Sequence, residues 1–590
     1  MDKIWKINEK APKEFLKKFK DYHPLLLQLL YSRGFKTKKE IDDFLSINYQ
    51  KDIHDPYLLS GMKSAVSRIK KAILNKEKVA IFGDYDADGI CASTILNEVF
   101  IKINLPPMVY IPNRKEGYSL NEKAINYLAK KKVNLIVTVD CGSSSNKEVD
   151  LANKLGIDMV ITDHHLLPSK IPDAYVILNP KKKNDKYPNK NLSGTGVAFK
   201  LATAIIREFP SKFKREEEKW LLDLVAIATV ADMMTLAGEN RTLVKYGLLV
   251  LTKTRRKGLK VLMKDAGIKD MKIQWLNRKQ NRFLIKNIDS YTISFIIGPR
   301  LNAAGRMDDA NTAFYLLNTS SSKQAQEFSK KLNKKNQLRQ KLQSKFTKKV
   351  QESLTKKELE KKFIFRGSND YPSGIVGLIS GRLTRKFYLP SFIYKKNDIL
   401  SRGSCRSIPE INIVDVLTSC TLYLEEYGGH KGAAGFTVKN TQIKEFKKCL
   451  EKNIKKALKG KKLAPKLKID CEINFQDISY SLKKVLEELA PFGEGNSEPV
   501  FIVKKAIVTE KRKVGKRSQH LILRLKKIEE GKEYYSKALL FQNTVRLEGI
   551  EKDKYYDFVF VPLFDEWKGI KQITLKIIDW KESKEQFSQK

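Results

Sequence analysis

Apolar and polar positions divide this chain into stretches of different period. From Lys78 onward, short apolar runs alternate with helical segments: Val79–Phe82, the helical run Ile90–Ile103, then Leu135–Val139 and Met159–Thr162. Short, wholly apolar runs separated by helix-length segments predict strands of a parallel α/β sheet. Residues 218–315 read as mostly helical. Ser321 or Ser322 is placed to cap a long helix whose apolar positions are Phe328, Leu332, Leu338, Leu342, Phe346, Val350 and Leu354. One apolar stripe on a lysine-rich helix of about 30 residues predicts a connector between two lobes. Strand and helix alternate again over 362–455, beginning with Phe363–Phe365 and ending after a glycine-rich loop. Over 466–585 the runs Val500–Val503, Leu521–Leu525, Tyr555–Pro562 and Gln572–Ile578 predict a small β-barrel. Residues 1–75 read as helical and polar, a cap rather than a core.

The expected architecture is α/β: two α/β lobes joined by a long helix, with a C-terminal β-barrel. The expected divisions are an N-terminal helical cap over 1–75, a first lobe over 76–320, a connecting helix over 321–360, a second lobe over 361–460 and the barrel over 466–585. A chain of 590 residues is too long for one core. A hydrophobic fraction of 42% beside 31% charged residues excludes the disordered and membrane-spanning classes. The opening MDKIWKINEKAPKEF has no apolar core of a secretory signal. Cys91, Cys141, Cys405, Cys420, Cys449 and Cys471 are scattered with no CxxC pair. That spacing argues against a zinc ribbon or a disulfide framework and for a reducing cytoplasm.

Charge narrows the choice of partner. Lys and Arg number 113 against 67 Asp and Glu, a net +46 that favours polyanions, nucleic acid first. Lysine-rich codon usage produces the same excess, so its distribution matters more than its size. Residues 321–362 carry 14 Lys and Arg against 4 Asp and Glu, which concentrates the excess on the predicted connector.

Three predicted strands end in acids. Val79–Phe82 is followed by Gly83-Asp84-Tyr85-Asp86-Ala87-Asp88-Gly89, Leu135–Val139 by Asp140-Cys141-Gly142, and Met159–Thr162 by Asp163-His164-His165. An Asp after a strand often only caps the next helix. Three such loops in one parallel sheet, however, converge outside the carboxyl ends of the strands. A fourth acid, Asp232, ends the apolar run Leu224–Ala231. Clustered carboxylates without a Lys or Arg in the same loops need a cation. Oxygen donors with one imidazole suit Mn²⁺ or Mg²⁺. The number of ligands suggests two ions, the usual apparatus for hydrolysing phosphodiesters.

These segments resemble the first motifs of the DHH phosphoesterases, with Ala228-Thr229-Val230-Ala231-Asp232 as the fourth. Gly298-Pro299-Arg300-Leu301-Asn302-Ala303-Ala304-Gly305-Arg306 and Gly428-Gly429-His430-Lys431-Gly432-Ala433-Ala434-Gly435 resemble later motifs of its RecJ branch, the single-stranded-DNA-specific 5′→3′ exonucleases. Pro491-Phe492-Gly493-Glu494-Gly495-Asn496 is similar to a signature of that branch's oligonucleotide-binding (OB-fold) barrel. The match runs from about residue 50 to 580 in the family's order.

The resemblance implies a DHH core at 76–320, a DHH-associated lobe at 361–460 and an OB-fold at 466–585. It implies two divalent ions held by Asp86, Asp88, Asp140, His164 and Asp232, with Asp140 bridging and Asp84 close by. It places His165 beside the metals and makes Asp84, His165 and Arg306 catalytic. Arg300, Asn302, Arg402, Ser404, Arg406 and His430 are expected to hold the strand from glycine-rich loops. Tyr118, after Arg114, is a candidate to stack on a base. Lys511, Arg512, Lys513, Lys516 and Arg517 are candidate phosphate contacts of the barrel. The implied activity is hydrolysis of single-stranded DNA from its 5′ end to nucleoside 5′-monophosphates in recombination and repair. The implied partners are a helicase and a single-strand-binding protein, for a monomer that works in the cytoplasm and not on a membrane.

The chain departs from the family at four places. Tyr371-Pro372-Ser373-Gly374 stands where Trp-His precedes the glycine, and the Arg114–Tyr118 loop is one residue short. Ala228 and Ser497 replace a Gly and a Pro. None is an expected metal ligand. Two rival functions fit parts of the pattern. A DHH-type oligoribonuclease, cyclic-dinucleotide phosphodiesterase or pyrophosphatase would not need the barrel. A non-catalytic DNA-binding scaffold would not need to keep every ligand.

Overall fold

The computed structural model of the chain describes residues 3–583 apart from 118, 278–281, 308, 462, 516–517, 542–544 and 568–569. Tyr118, Lys516 and Arg517 therefore lie outside the described residues. The chain divides into a larger unit, Asn48–Gln274 with Ile285–Leu463, and a smaller one, Met1–Ile47 with Trp275–Leu284 and Ala464–Lys590.

The larger unit begins with a five-stranded parallel sheet. Its spatial order is Met108–Tyr110, Val79–Gly83, Leu135–Val139, Asp158–Thr162 and Val176–Leu178. Both faces are covered, which is why the strands are apolar at nearly every position. Val79, Ile81, Leu135 and Val137 join one core, with helices Ala87–Lys102, Gly194–Glu208 and Leu222–Ala231. Ala80, Phe82 and Ile136 join the core on the opposite face, under helices Glu122–Lys130 and Asn146–Lys154. The second strand in sequence lies on one side of the first and the third on the other. The connections therefore diverge between Val79–Gly83 and Leu135–Val139, and a crevice opens at their carboxyl ends.

Helix Ser322–Ser353 is the predicted connector, with Ser321 Oγ accepting the Gln324 N–H. Its first half packs on helices Lys257–Asp265, Gly298–Arg306 and Asn311–Asn318, and its second half on Val376–Phe387. Leu332, Phe346 and Val350 are buried, but Leu338 is 44% exposed at midspan, where the stripe passes from one lobe to the other. The second lobe holds a mixed sheet in the order Glu426–His430, Ala433–Lys439, Leu400–Arg406, Ser391–Lys395, Ile364–Ser368. Cys420 and Cys449 form a disulfide there, 5.9 Å apart at Cα. The expectation of no disulfide misses this pair because a sequence separation of 29 hides the juxtaposition.

The smaller unit contains a closed barrel. Phe501–Val514, His520–Glu529, Lys532–Phe541, Ile570–Glu582 and Tyr555–Trp567 pair in turn, and the last returns to the first. The expectation that residues 1–75 form one polar cap needs correction. Ile4–Ile7 pairs in parallel with Lys466–Ile469, and helix Pro24–Ser32 buries Leu26, Leu27, Leu29 and Leu30 in the barrel's core. Each such leucine contributes about 1.5–3 kcal/mol. The segment divides after Ile47, and helix Met62–Leu74 packs on the core of the larger unit. No helix among the described residues is long and apolar enough to cross a membrane.

Candidate metal centre

The crevice at the strand divergence gathers the acids. Asp86 does cap helix Ala87–Lys102: its Oδ1 accepts the N–H groups of Asp88 and Gly89 at 2.8 and 3.1 Å. Capping uses one oxygen and orients the other. The Asp88 carboxylate accepts from the backbone N–H of Gly194 at 2.8 Å and Thr195 at 2.7 Å, at the start of helix Gly194–Glu208. The sequence reading missed this support, for which Ser193-Gly194-Thr195-Gly196 is the local signal. Asp140 follows its strand in the left-handed region, at φ 61°, and a Cβ on Gly194 would collide with its side chain.

Asp232 ends helix Leu222–Ala231 and points its carboxylate at the same centre. His164 Nε2 lies 3.2 Å from Asp140 Oδ1, 3.6 Å from Asp232 Oδ2 and 3.9 Å from Asp88 Oδ2. Ligand atoms lie within 4.8 Å of one another in three overlapping groups: Asp84, Asp86 and Asp140; Asp88, His164 and Asp232; Asp140, His164 and His165.

The electrostatics fit divalent ions. Burial, followed by repulsion among the acids, raises the pKa of Asp84, Asp86 and Asp140, and lifts Asp232 to about 8. Asp84 Oδ1, Asp140 Oδ1 and His164 Nδ1 are buried without a hydrogen-bond partner. Burial holds His164 near a pKa of about 4, in the neutral form a metal requires. Carboxylates that outnumber imidazoles and are crowded with like charge match the donor set of Mn²⁺ or Mg²⁺.

Asp163 has a different task, which the sequence did not reveal. Its Oδ1 accepts the backbone N–H of His164 and His165 at 2.7 and 3.1 Å, and its Oδ2 accepts that of Ser143 at 3.0 Å. Burial alone would raise its pKa, but the hydrogen bond and charge of His165 hold it well below the usual carboxylate range. In return, although burial disfavours the imidazolium, Asp163 lifts His165 to about 8.

The expected substrate residues need correction in their settings. Arg300, Asn302 and Arg306 are on a helix, Gly298–Arg306, not in a loop. Pro299 stands at its start, where a missing N–H costs nothing. Gly305 is required because a Cβ would strike the Tyr85 carbonyl. Asn302 Oδ1 accepts the Ala87 N–H at 2.7 Å, so this side chain holds the acidic loop. Arg300 donates to Asn333 Oδ1 and the Ile296 carbonyl, both at 2.7 Å. Arg306 donates to the Gly374 carbonyl at 3.1 Å and joins the two lobes. Burial and then the Arg114 charge lower its pKa to about 10, so it stays cationic.

Arg402, Ser404 and Arg406 alternate along strand Leu400–Arg406, and His430 ends strand Glu426–His430, again not in loops. Period-two alternation puts the first three on one face. Arg406 donates to Ser404 Oγ at 2.9 Å, beside Gly377 of helix Val376–Phe387. His430 is exposed. In the smaller unit, Lys511 and Arg512 line a groove of about 800 Å³ with Arg524, Tyr535 and Lys537. Lys511 also donates to the Ile550 carbonyl at 2.7 Å. Asn496 is structural: its amide donates to the Leu489 and Pro491 carbonyls at 2.9 and 2.8 Å.

Comparison with known proteins places this geometry. The DHH family N-terminal domain matches residues 78–229, the DHHA1 domain 360–456 and the RecJ OB domain 469–579. The single-stranded-DNA-specific exonuclease RecJ of Bacillus subtilis (strain 168) is 33% identical over 559 residues, covering 94% of this chain and 68% of that protein. The RecJ of Haemophilus influenzae is 28% identical over 572 residues, covering 94% and 96%. Among solved structures, RecJ of Thermus thermophilus in complex with Mn²⁺ superposes with a TM-score of 0.82 at 24% identity, covering 99% of this chain and 80% of that one, a likeness of fold. A second structure, exonuclease RecJ bound to manganese, gives a TM-score of 0.58 at 27% identity over 69% of this chain and 98% of that one.

Proposed function

Because this chain belongs to the family of RecJ single-stranded-DNA-specific exonucleases, we propose that its acidic crevice is the catalytic centre of a metal-dependent exonuclease that digests single-stranded DNA from the 5′ end. The observation that carries this reading is the meeting of Asp84, Asp86, Asp88, Asp140, His164 and Asp232 where the parallel sheet diverges. Asp86 and Asp140, with Asp84 beside them, would hold one divalent ion, and Asp88, His164 and Asp232 would hold the other. When bound, Mn²⁺ or Mg²⁺ ions neutralise charge on the scissile phosphate and lower the pKa of water.

The protein groups then act around them. His165 gives its Nδ1 side to Asp163, and its Nε2–H is the donor to a phosphate oxygen. Arg306, cationic and fixed on Gly374 between the lobes, meets the charge that develops on phosphate. Ser404 and Arg406 offer donors to phosphates of the strand from the facing lobe. Arg402 and His430 extend that surface, and Arg300 serves from the first lobe. Asn302 acts by positioning the acidic loop. The products are nucleoside 5′-monophosphates.

Residues 76–320 are the catalytic core, 321–360 the connector, 361–460 the DHH-associated lobe and 466–585 the OB-fold. The barrel's groove, with Arg512, Arg524 and Lys537 around Tyr535, binds single strands. Lys513 adds a further phosphate contact. The protein acts as a cytoplasmic monomer in recombination and repair. Its need for unpaired DNA calls for a helicase and a single-strand-binding protein as partners.

The test is a 5′-labelled oligonucleotide, as single strand and as blunt duplex, with Mn²⁺, Mg²⁺ or chelator. Immediate release of labelled mononucleotide from the single strand alone, abolished by chelator, is expected. Cleavage confined to very short oligonucleotides would replace this reading with a small-substrate phosphodiesterase. Binding without cleavage would make the protein a scaffold.

A further inference from the structure

Two arginines buried in the larger unit are matched by carboxylates. Arg68 meets Glu77 and Asp158 at 2.7 and 2.5 Å, and Arg256 meets Glu98 and Asp223 at 2.8 and 3.4 Å. Arg339 is not matched. It stands on the connector Ser322–Ser353, between the half packed on the first lobe and the half packed on the second. One terminal nitrogen donates to Asn336 Oδ1 at 2.7 Å. Its Nε is buried with no hydrogen-bond partner, and among the described residues no carboxylate lies within 4.0 Å.

The charges that face it are cations: Arg306 and Arg300 of the first lobe and Arg382 of the second. Burial and then Arg382 and Arg300 lower its pKa, yet a guanidinium remains charged at neutral pH. A half-desolvated cation among like charges is unfavourable for the empty protein. Its Nε is enclosed, so the contact with an anion falls to the terminal nitrogens, one of which Asn336 already holds in place.

We propose that Arg339 is a substrate-binding residue whose guanidinium takes a backbone phosphate of the strand lying between the two lobes, next to the phosphate met by Arg306. Asn336, buried one turn earlier, fixes the guanidinium. The contact comes from the connector, so it registers the strand only where the strand passes both lobes. This inference rests on the reading of the chain as a single-stranded-DNA nuclease.

The test compares the full-length protein with Arg339→Gln and Arg339→Lys. Readouts are kcat and KM on a single-stranded oligonucleotide, the salt dependence of binding in chelator, and the thermal midpoint. Arg339→Gln is expected to raise KM about tenfold with kcat within about twofold, the loss of one charge-assisted contact. The slope of log affinity against log salt falls by about 0.7. The thermal midpoint stays or rises, because like-charge repulsion is relieved, and Arg339→Lys recovers part of the KM. Unchanged KM and salt slope would overturn the proposal, as would a KM loss accompanied by a lowered midpoint in both variants. If the wild-type protein fails to cut single strands, the nuclease reading falls. Oligonucleotide binding in chelator then decides Arg339 separately: a tenfold loss in Arg339→Gln upholds it, and equal binding removes it.

Discussion

Asp163 grips His165 at two points, its Oδ1 lying 2.8 Å from the ring Nδ1 and 3.1 Å from the backbone nitrogen of the same residue. The pair turns a histidine with a pKa near neutrality into one at about 8. Asp163→Asn keeps the shape and removes the charge, so kcat is expected to fall about 10–100-fold while Mn²⁺ affinity and KM change little. The imidazolium is the form that donates to phosphate. Activity therefore declines as pH rises through the His165 pKa, and that decline moves to lower pH in the variant. A pH–rate profile identical to wild type would remove His165 protonation from the reaction.

The carboxylates make metal binding a proton exchange. With Asp232 near a pKa of about 8 and Asp84, Asp86 and Asp140 also raised, the ion-free centre retains protons at neutral pH. A folded pKa above the unfolded one gives stability that is complete in acid and is lost as pH rises through the folded value. The ion-free protein should thus lose stability from about pH 4 to about pH 8, and Mn²⁺ should restore it. The gap between thermal midpoints in Mn²⁺ and in chelator is expected to widen from about pH 6 to about pH 8.5. Calorimetry in buffers of different ionisation heat should register proton release. A gap that narrows with pH would show that these acids are already ionised.

Gly194 lies against Asp140 on the helix side. A methyl group there would collide with the carboxylate, so Gly194→Ala should displace Asp140 and lower kcat by about 100-fold or more. Mn²⁺ titration followed by thermal shift would report a weakened centre. Wild-type Mn²⁺ affinity in this variant would mean that Asp140 can move without leaving the ions.

Asn302 offers a clean separation of positioning from binding. Asn302→Ala leaves the Ala87 N–H without its acceptor, at a cost of about 1–3 kcal/mol in stability. A fall in kcat with unchanged KM is expected, since the acidic loop loosens. A change confined to KM would return this residue to the substrate surface.

The sheet and its acids were legible because the signals were local. Leu135–Val139 is apolar at nearly every position, and Asp140 follows it directly. Helix Gly298–Arg306 was hidden by its own glycines and proline, whose reasons are tertiary: Gly305 lies against Tyr85, in a loop more than two hundred residues earlier. Nothing beside Asp163 in sequence announces that its carboxylate turns to Ser143 and His165 rather than to the ions. Strand Lys532–Phe541 was missed because Glu533, Ser536 and Lys537 dilute its alternation, while Leu26 to Leu30 read as a polar cap until their partners in the barrel are known.

Strand Ile4–Ile7 pairs with Lys466–Ile469, which bears on how the protein is made. Strand Ile4–Ile7 leaves the ribosome about 460 residues before its partner. At ~5–20 residues per second that is roughly 25–90 s, during which Leu26, Leu27, Leu29 and Leu30 have no barrel to enter. The larger unit can complete its parallel sheet in the interval, so this segment finds its place after that sheet has formed. The nascent chain therefore carries an uncovered apolar helix throughout that interval, a ready handle for chaperones and a point of weakness without them.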